Sequence, residues 1–304
     1  MKVKTLPKNY DFESLFTQFD GYDYFESGNQ GDLYPQIEAF SIAHAWLLAE
    51  CSMLVYASPS VISKAITRCG ALEHEIMDVG ALRFLYLRFT GFQIVVFRGT
   101  VSHYWENLLT DLQFLPGAFG RQGLVHCGFH IAIKKLWKIL LKILHRQKIP
   151  LPIFFTGHSL GAALATLACH QYRHEPKVLY TFGSPRVGDA RFAKRFSCPA
   201  YRIVNNNDVI AHLPPSGIYR HFGEPIFIDH TGRLLVDGGG YWNRFKSKFF
   251  GNVNYSRILW GQWQAGHFNQ IPFDWLINHS PYFYSIHCWN AYVKKFTKLR
   301  TFDG

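Results

Sequence analysis

Ile153-Phe154-Phe155-Thr156-Gly157-His158-Ser159-Leu160-Gly161-Ala162-Ala163-Leu164 passes from a short apolar run through G-x-S-x-G into an Ala- and Leu-rich segment ending at Cys169. An apolar run, a glycine turn and a stretch of helix formers predict strand, tight turn and helix in direct succession. That context is what a nucleophile elbow requires. Glycines two positions either side of the serine let the backbone reverse sharply without a Cβ clash. The turn lifts the Ser159 hydroxyl above the sheet edge, and the helix that follows points its first amides at any negative charge developing there. Ser159 is therefore the candidate nucleophile. The plain alternative is a Gly-rich connection carrying a surface serine.

Composition bounds the rest. At 304 residues the chain is long for one domain and short for two, and a chain of this size buries about three quarters of its extended surface. Hydrophobic content of 48% with 17% charged residues describes a globular protein. No run approaches the ~18 apolar residues of a membrane-spanning helix. The first ten residues, MKVKTLPKNY, are cationic but lack an apolar core, so no secretory signal peptide is read. The expectation is a cytoplasmic protein, or one exported without a classical signal peptide. The six cysteines, Cys51, Cys69, Cys127, Cys169, Cys198 and Cys288, form no C-x-x-C pair, which argues against a zinc site or a disulfide framework. They read as buried thiols.

The net charge of +11 favours anionic partners, lipid or nucleic acid. Its distribution is uneven. Asp11, Glu13, Asp20, Asp23, Glu26, Asp32 and Glu38 fall in the first forty residues, whereas no acid lies between Asp111 and Glu175. That stretch carries Arg121, Lys134, Lys135, Lys138, Lys142, Arg146, Lys148 and Arg173 together with Ser159, so positive potential is expected near the serine.

Residues 1–36 read as an N-terminal arm and 37–304 as a single domain. Helices are predicted over 37–56, 59–68, 129–147 and 281–296, and strands over 82–89, 92–97, 177–182, 201–204, 225–229 and 233–236. Alternating helices and glycine-bounded apolar strands predict an α/β fold whose mixed, mostly parallel central sheet is flanked by helices on both faces. In the helix over 129–147, Ile133, Leu136, Trp137, Leu140, Leu141 and Leu144 form one apolar stripe that should pack on the sheet. Its polar face is almost wholly basic, a pattern also found on helices lying against anionic membranes.

A serine hydroxyl needs a base, and the base needs a group that fixes its tautomer. With a nucleophile elbow the chain order is Ser, acid, His. Downstream acids are Asp189, Asp208, Asp229, Asp237 and Asp274, and downstream histidines are His212, His221, His230, His267, His279 and His287. Spacing does not choose among the histidines. Asp208 follows the strand 201–204 in the loop Asn205-Asn206-Asn207-Asp208, where a catalytic acid would sit, although an ordinary turn aspartate fits there as well. Asp189 reads as a helix N-cap and Asp237 as a turn residue.

Several blocks in order carry a specific resemblance: Phe97-Arg98-Gly99-Thr100, Val125-His126-Cys127-Gly128-Phe129, Thr156 to Leu164 around the serine, Thr181-Phe182-Gly183-Ser184-Pro185-Arg186-Val187-Gly188-Asp189, Asn207-Asp208-Val209-Ile210 with Leu213-Pro214-Pro215, and Asn278-His279-Ser280-Pro281-Tyr282-Phe283. Over roughly residues 37–298 the chain resembles the class 3 (fungal-type) lipases, a family with the α/β-hydrolase fold. The resemblance implies an ester hydrolase with Ser159 as nucleophile, Asp208 as orienting acid and His279 as general base. It further implies an oxyanion hole from the backbone N–H groups of Thr100 and Leu160. The family usually has Asp where this chain has Asn278. His126, His158, Ser184 and Arg186 lie in the same blocks and are read as hydrogen-bonded structural residues.

The resemblance also implies a lid helix over 101–109, where Val101, Tyr104, Trp105, Leu108 and Leu109 share one face. A fixed helix is the plain alternative. Residues 241–250 interleave basic and aromatic side chains, as segments at a lipid interface do. The resulting expectation is cleavage of a glycerolipid-like acyl ester through an acyl-enzyme, without metal or organic cofactor. Peripheral contact with an anionic membrane surface is expected, and nucleic acid is not. Two alternatives share these residues: a catalytically silent lipid- or partner-binding module, and an acyltransferase using the same triad.

Overall fold

The computed structural model describes residues 2–6, 21–26, 39–99, 115–146, 150–236 and 278–300. Helix α1 (Ile42–Leu54) begins later than predicted because Ser41 caps it, its hydroxyl accepting the His44 N–H at 3.4 Å. Residues His44 to Leu54 are all buried, so this helix lies inside the protein. Helix α2 (Pro59–Cys69) has proline in its first turn and stops at Gly70 in the left-handed conformation.

Strand β1 (Glu73–Val79) was not predicted. It lies at the sheet edge, half exposed, and its polar residues hide the alternation that marks a half-buried strand. It pairs with β2 (Leu82–Arg88), which forms the expected hairpin with β3 (Gln93–Phe97). A separate two-stranded ribbon, β4 (Pro116–Ala118) with β5 (Leu124–His126), leads into α3 (Cys127–Leu144). The elbow strand β6 (Ile153–His158) and helix α4 (Leu160–Gln171) follow as predicted. Next come β7 (Lys177–Phe182), α5 (Ala190–Lys194), β8 (Ala200–Asn205), a 3-10 turn at Ile210–His212, β9 (Glu224–Ile228), β10 (Leu234–Leu235) and α6 (Pro281–Arg300).

The eight-stranded sheet runs β1-β2-β3-β6-β7-β8-β9-β10, parallel from β3 through β9 and antiparallel at both ends. Successive strand residues serve opposite faces. Ile94, Val96, Phe154, Val178 and Tyr180 meet α1, α2 and α6 in one core, while Val95, Phe97, Phe155 and Leu179 meet α3 and α4 in the other. In α3 the side chains of Ile133, Leu136, Leu140, Ile143 and Leu144 are buried, and Lys134, Lys135, Lys138 and Lys142 are exposed. The apolar stripe therefore packs on the sheet, and the basic face looks outward. No helix among the described residues is long and apolar enough to cross a membrane.

The N-terminal residues reach the core. Tyr24 and Phe25 are buried against α1 and α6. Lys4 and Asn290 exchange two hydrogen bonds, at 2.7 and 2.9 Å, and the Trp289 indole donates to the Lys2 carbonyl at 2.8 Å. Beneath them the fully buried Glu50 of α1 accepts from the Tyr22 hydroxyl at 2.8 Å and the Phe25 N–H at 2.5 Å, with the Lys4 ammonium 3.7 Å away. Burial pushes the Glu50 carboxyl up, opposed chiefly by Lys4. Removing a carboxylate that satisfies buried donors leaves them unpaired. Glu50→Ala should therefore lower unfolding stability by about 2–4 kcal/mol in a urea titration, and an unchanged midpoint would refute the clamp.

Candidate active site

The elbow forces Ser159 to φ 59°, ψ −127°, a conformation costing about 1–3 kcal/mol for a residue with a side chain. It is held there by backbone on both sides. The Ser159 N–H donates to the Phe182 carbonyl at 3.0 Å, and its own carbonyl accepts from the Ala162 and Ala163 N–H groups at 3.0 and 3.3 Å. The flanking glycines are obligatory. A Cβ on Gly161 would run into the Phe97 carbonyl, and one on Gly157 would lie 2.5 Å from the Gly161 carbonyl carbon. Ser159 is fully buried, and its Oγ has no hydrogen-bond partner among the described residues. Leu160 opens α4, so its N–H is one of the first-turn amides that no intrahelical carbonyl can accept.

Asp208 sits in the loop after β8, also fully buried. His279 precedes α6 and presents Nδ1 to both Asp208 oxygens, at 2.9 and 2.8 Å. The remaining capacity of the carboxylate is filled. The N–H groups of Ile210 and Ala211 reach Oδ1 at 2.9 and 3.4 Å, and the Tyr284 hydroxyl donates to Oδ2 at 2.5 Å. The Asn205 N–H in turn donates to the Tyr284 oxygen at 3.0 Å, and the Asn205 side-chain amide donates to the Asn278 carbonyl at 3.0 Å. Burial and then the neighbouring Asp208 push the Tyr284 hydroxyl far up, so it remains a donor. Gly183, at φ 58°, closes one wall. A Cβ there would stand 2.7 Å from Asp208 Oδ2 and 2.9 Å from His279 Nδ1.

His158 joins the two halves of the site. Its Nε2 lies 2.5 Å from the His279 carbonyl and its Nδ1 lies 3.0 Å from the Tyr56 hydroxyl, with its ring centroid 4.5 Å from that of His279. A carbonyl only accepts, so Nε2 carries the proton and Nδ1 accepts from Tyr56. Burial, reinforced by His279, pushes the His158 pKa far down and keeps the ring neutral. The residue before the serine thereby anchors the backbone of the histidine.

The other motif residues are structural. His126 caps α3 by accepting the Gly128 N–H at 3.1 Å. Ser184 bonds the Pro185 carbonyl at 3.0 Å, and Arg186 bonds the His212 and Pro214 carbonyls. Asp189 caps α5, as read, through the Phe192 N–H at 2.8 Å. Asp229 is spent in a turn with Thr231 and Arg233, and His221 bonds the Ala211 carbonyl at 2.7 Å. Thr100, 101–109, Asp237, 241–250, His267 and Asp274 lie outside the described residues. Among the described residues no group of His, Cys, Asp and Glu could hold a metal ion. Sequence reasoning missed Tyr284 and Tyr56, which bear on Asp208 and His158 only through the fold.

Residues 94–217, which include the elbow and the Asp208 loop, match the class 3 lipase family. Over that stretch the chain is similar to the class 3 lipases. A lipase of Rhizomucor miehei is 36% identical over 152 residues, 44% of this chain and 41% of that protein. A chloroplastic phospholipase A(1) of Arabidopsis thaliana is 34% identical over 200 residues, 57% of this chain and 40% of that protein. The chain thus spans less than half the length of these curated relatives. The solved Rhizomucor miehei triacylglyceride lipase superposes with a TM-score of 0.53 at 26% identity, covering 64% of this chain and 83% of that one. The two chains share the α/β fold built on a mostly parallel mixed sheet.

Burial also makes this protein sensitive to acid. His126, His158, His170, His221 and His287 all have their pKa values lowered by burial, His170 and His287 to about 4. In the unfolded chain these rings take protons near pH 6.5 and in the folded chain they do not, so stability present at neutral pH is lost as pH falls below about 6.5. Urea midpoints should drop steadily from pH 7 to pH 5, and a flat profile would contradict the assignment of neutral buried rings.

Proposed function

We propose that this protein is a carboxylic ester hydrolase acting on a lipid-like acyl ester through an acyl-enzyme. The observation that carries the reading is the buried Asp208–His279 pair, bonded through Nδ1, tied by His158 to an elbow serine held at positive φ. In this reading Ser159 attacks the ester carbonyl, His279 Nε2 takes its proton and returns it to the leaving alcohol, and Asp208 stabilises the imidazolium. The Leu160 and Thr100 N–H groups bind the oxyanion, each such donor being worth about 3 kcal/mol of transition-state stabilisation. Water then releases the acid by the same steps in reverse roles. No proton or electron pair in this sequence needs a metal or an organic cofactor.

Residues 37–304 form the hydrolase domain in this proposal, with 1–36 as an arm on it. Complete burial of Ser159 supports a site that opens only when substrate or an interface is present, and 101–109 is the proposed cover. The similarity to a triacylglyceride lipase and to a phospholipase A(1) supports a glycerolipid substrate.

Hydrolysis of p-nitrophenyl esters from acetate to palmitate tests the reading. Ser159→Ala should reduce turnover by at least about a thousandfold while the chain stays folded. A long-chain preference would assign a lipase, and no turnover on any ester, with detergent or vesicles present, would favour a binding module. Product analysis with an added alcohol would reveal acyl transfer.

The outward basic face of α3, Lys134, Lys135, Lys138 and Lys142, supports peripheral contact with anionic lipid. Sedimentation with vesicles should show binding that rises with anionic lipid content and falls with salt. Equal binding to neutral vesicles would overturn it.

A further inference from the structure

Cys169 lies in the last turn of α4, fully buried, and Cys198 lies just before β8, partly exposed. Both thiols are free, and their Sγ atoms stand 3.2 Å apart. Two sulfurs at that separation are already inside ordinary contact distance, and a bond of ~2.05 Å needs a further approach of only about 1 Å. The elements that carry them are firmly placed. α4 packs in the core beneath β6 and β7, Cys198 packs against the same cluster, and the Leu179 N–H bonds the Pro199 carbonyl at 3.0 Å.

We propose that Cys169 and Cys198 form a reversible disulfide, a redox site separate from the Ser159 centre. The oxidant is a low-molecular-weight disulfide, RSSR. The partly exposed Cys198, as thiolate, attacks one sulfur of RSSR, forming a mixed disulfide and expelling RS⁻. Cys169, on losing its proton, attacks the Cys198 sulfur and expels the second RS⁻. The two protein thiols are oxidised and RSSR is reduced to two RSH, with the two thiol protons going to the leaving groups. Burial and the adjoining Cys198 push the Cys169 thiol far up, which assigns the first attack to Cys198. The order of attack also follows from exposure alone.

The bridge would close a loop over residues 170–197, which contains all of β7 and the Gly183 turn beside Asp208 and His279. A native cross-link of that span restricts the unfolded chain and raises the melting temperature. The effect belongs to the fold and does not depend on the ester-hydrolase reading.

The test uses the full chain, reduced, desalted and exposed to oxidised glutathione, with and without later dithiothreitol. Free thiols are then alkylated under denaturing conditions and counted by intact mass. The expected result is four alkylated thiols of the six present, a peptide linking Cys169 to Cys198, and a melting temperature raised on the order of 5–10 °C that dithiothreitol reverses. Cys198→Ser and Cys169→Ala should each abolish both the link and the thermal shift. Six alkylated thiols after oxidation, a glutathione adduct persisting on Cys198, or a link between another pair such as Cys51 and Cys69 would overturn the proposal. So would a bridge that forms with no thermal shift.

Discussion

Everything chemical in this protein depends on how closely α4 approaches β3. Gly161 rests directly on the Phe97 carbonyl, and Gly157 rests on Gly161. No side chain fits between them, so the first turn of α4 is seated on the backbone at the end of β3. That contact makes the positive φ of Ser159 tolerable, because the strand before it and the helix after it are both fixed by the sheet. Gly99 follows the same strand end, where a Cβ would stand 3.2 Å from that of Ser159.

The proposed acid and base come from distant parts of the chain, and polar contacts lock them together. Asp208 is gripped by the 3-10 turn after it, by Tyr284 from α6 and by His279. His279 is fixed at Nδ1 by Asp208 and at its carbonyl by His158. Because Tyr284 also accepts from Asn205, α6 is registered against the end of β8 by the same hydroxyl that serves the carboxylate. Such a network, buried and satisfied, specifies one arrangement. Neutral His158 is essential to it, since a protonated ring would have no acceptor to offer the Tyr56 hydroxyl.

The elbow was legible in sequence because its geometry admits only glycine at two positions, a constraint visible as letters. Asp208 was legible as an acid at a strand end, whereas choosing His279 among six histidines needed the family blocks, since no local rule marks a base whose partner lies 71 residues away. Tyr284 was invisible for the same reason: its hydroxyl acts on Asp208 across the fold. β1 escaped notice because an edge strand can be polar on both faces. Glu50 gave no sign of its burial, since an acid in a helix ordinarily reads as surface, and its partners come from the N-terminal residues. The cysteines carried no spacing signal, and which two would meet could be known only once α4 and β8 were packed.

The clamp between the first residues and α6 joins segments made far apart in time. Lys4 leaves the ribosome 286 residues before its partner Asn290. Until α6 arrives, α1 lacks the cover that places Trp289 and Tyr292 within 5.1 and 4.6 Å of Trp46, and Glu50 lacks its seal. His279 lies just before the helix that carries Asn290. Until α6 is made, the apolar face of α1 stays open. One segment thus both covers that face and supplies the proposed base.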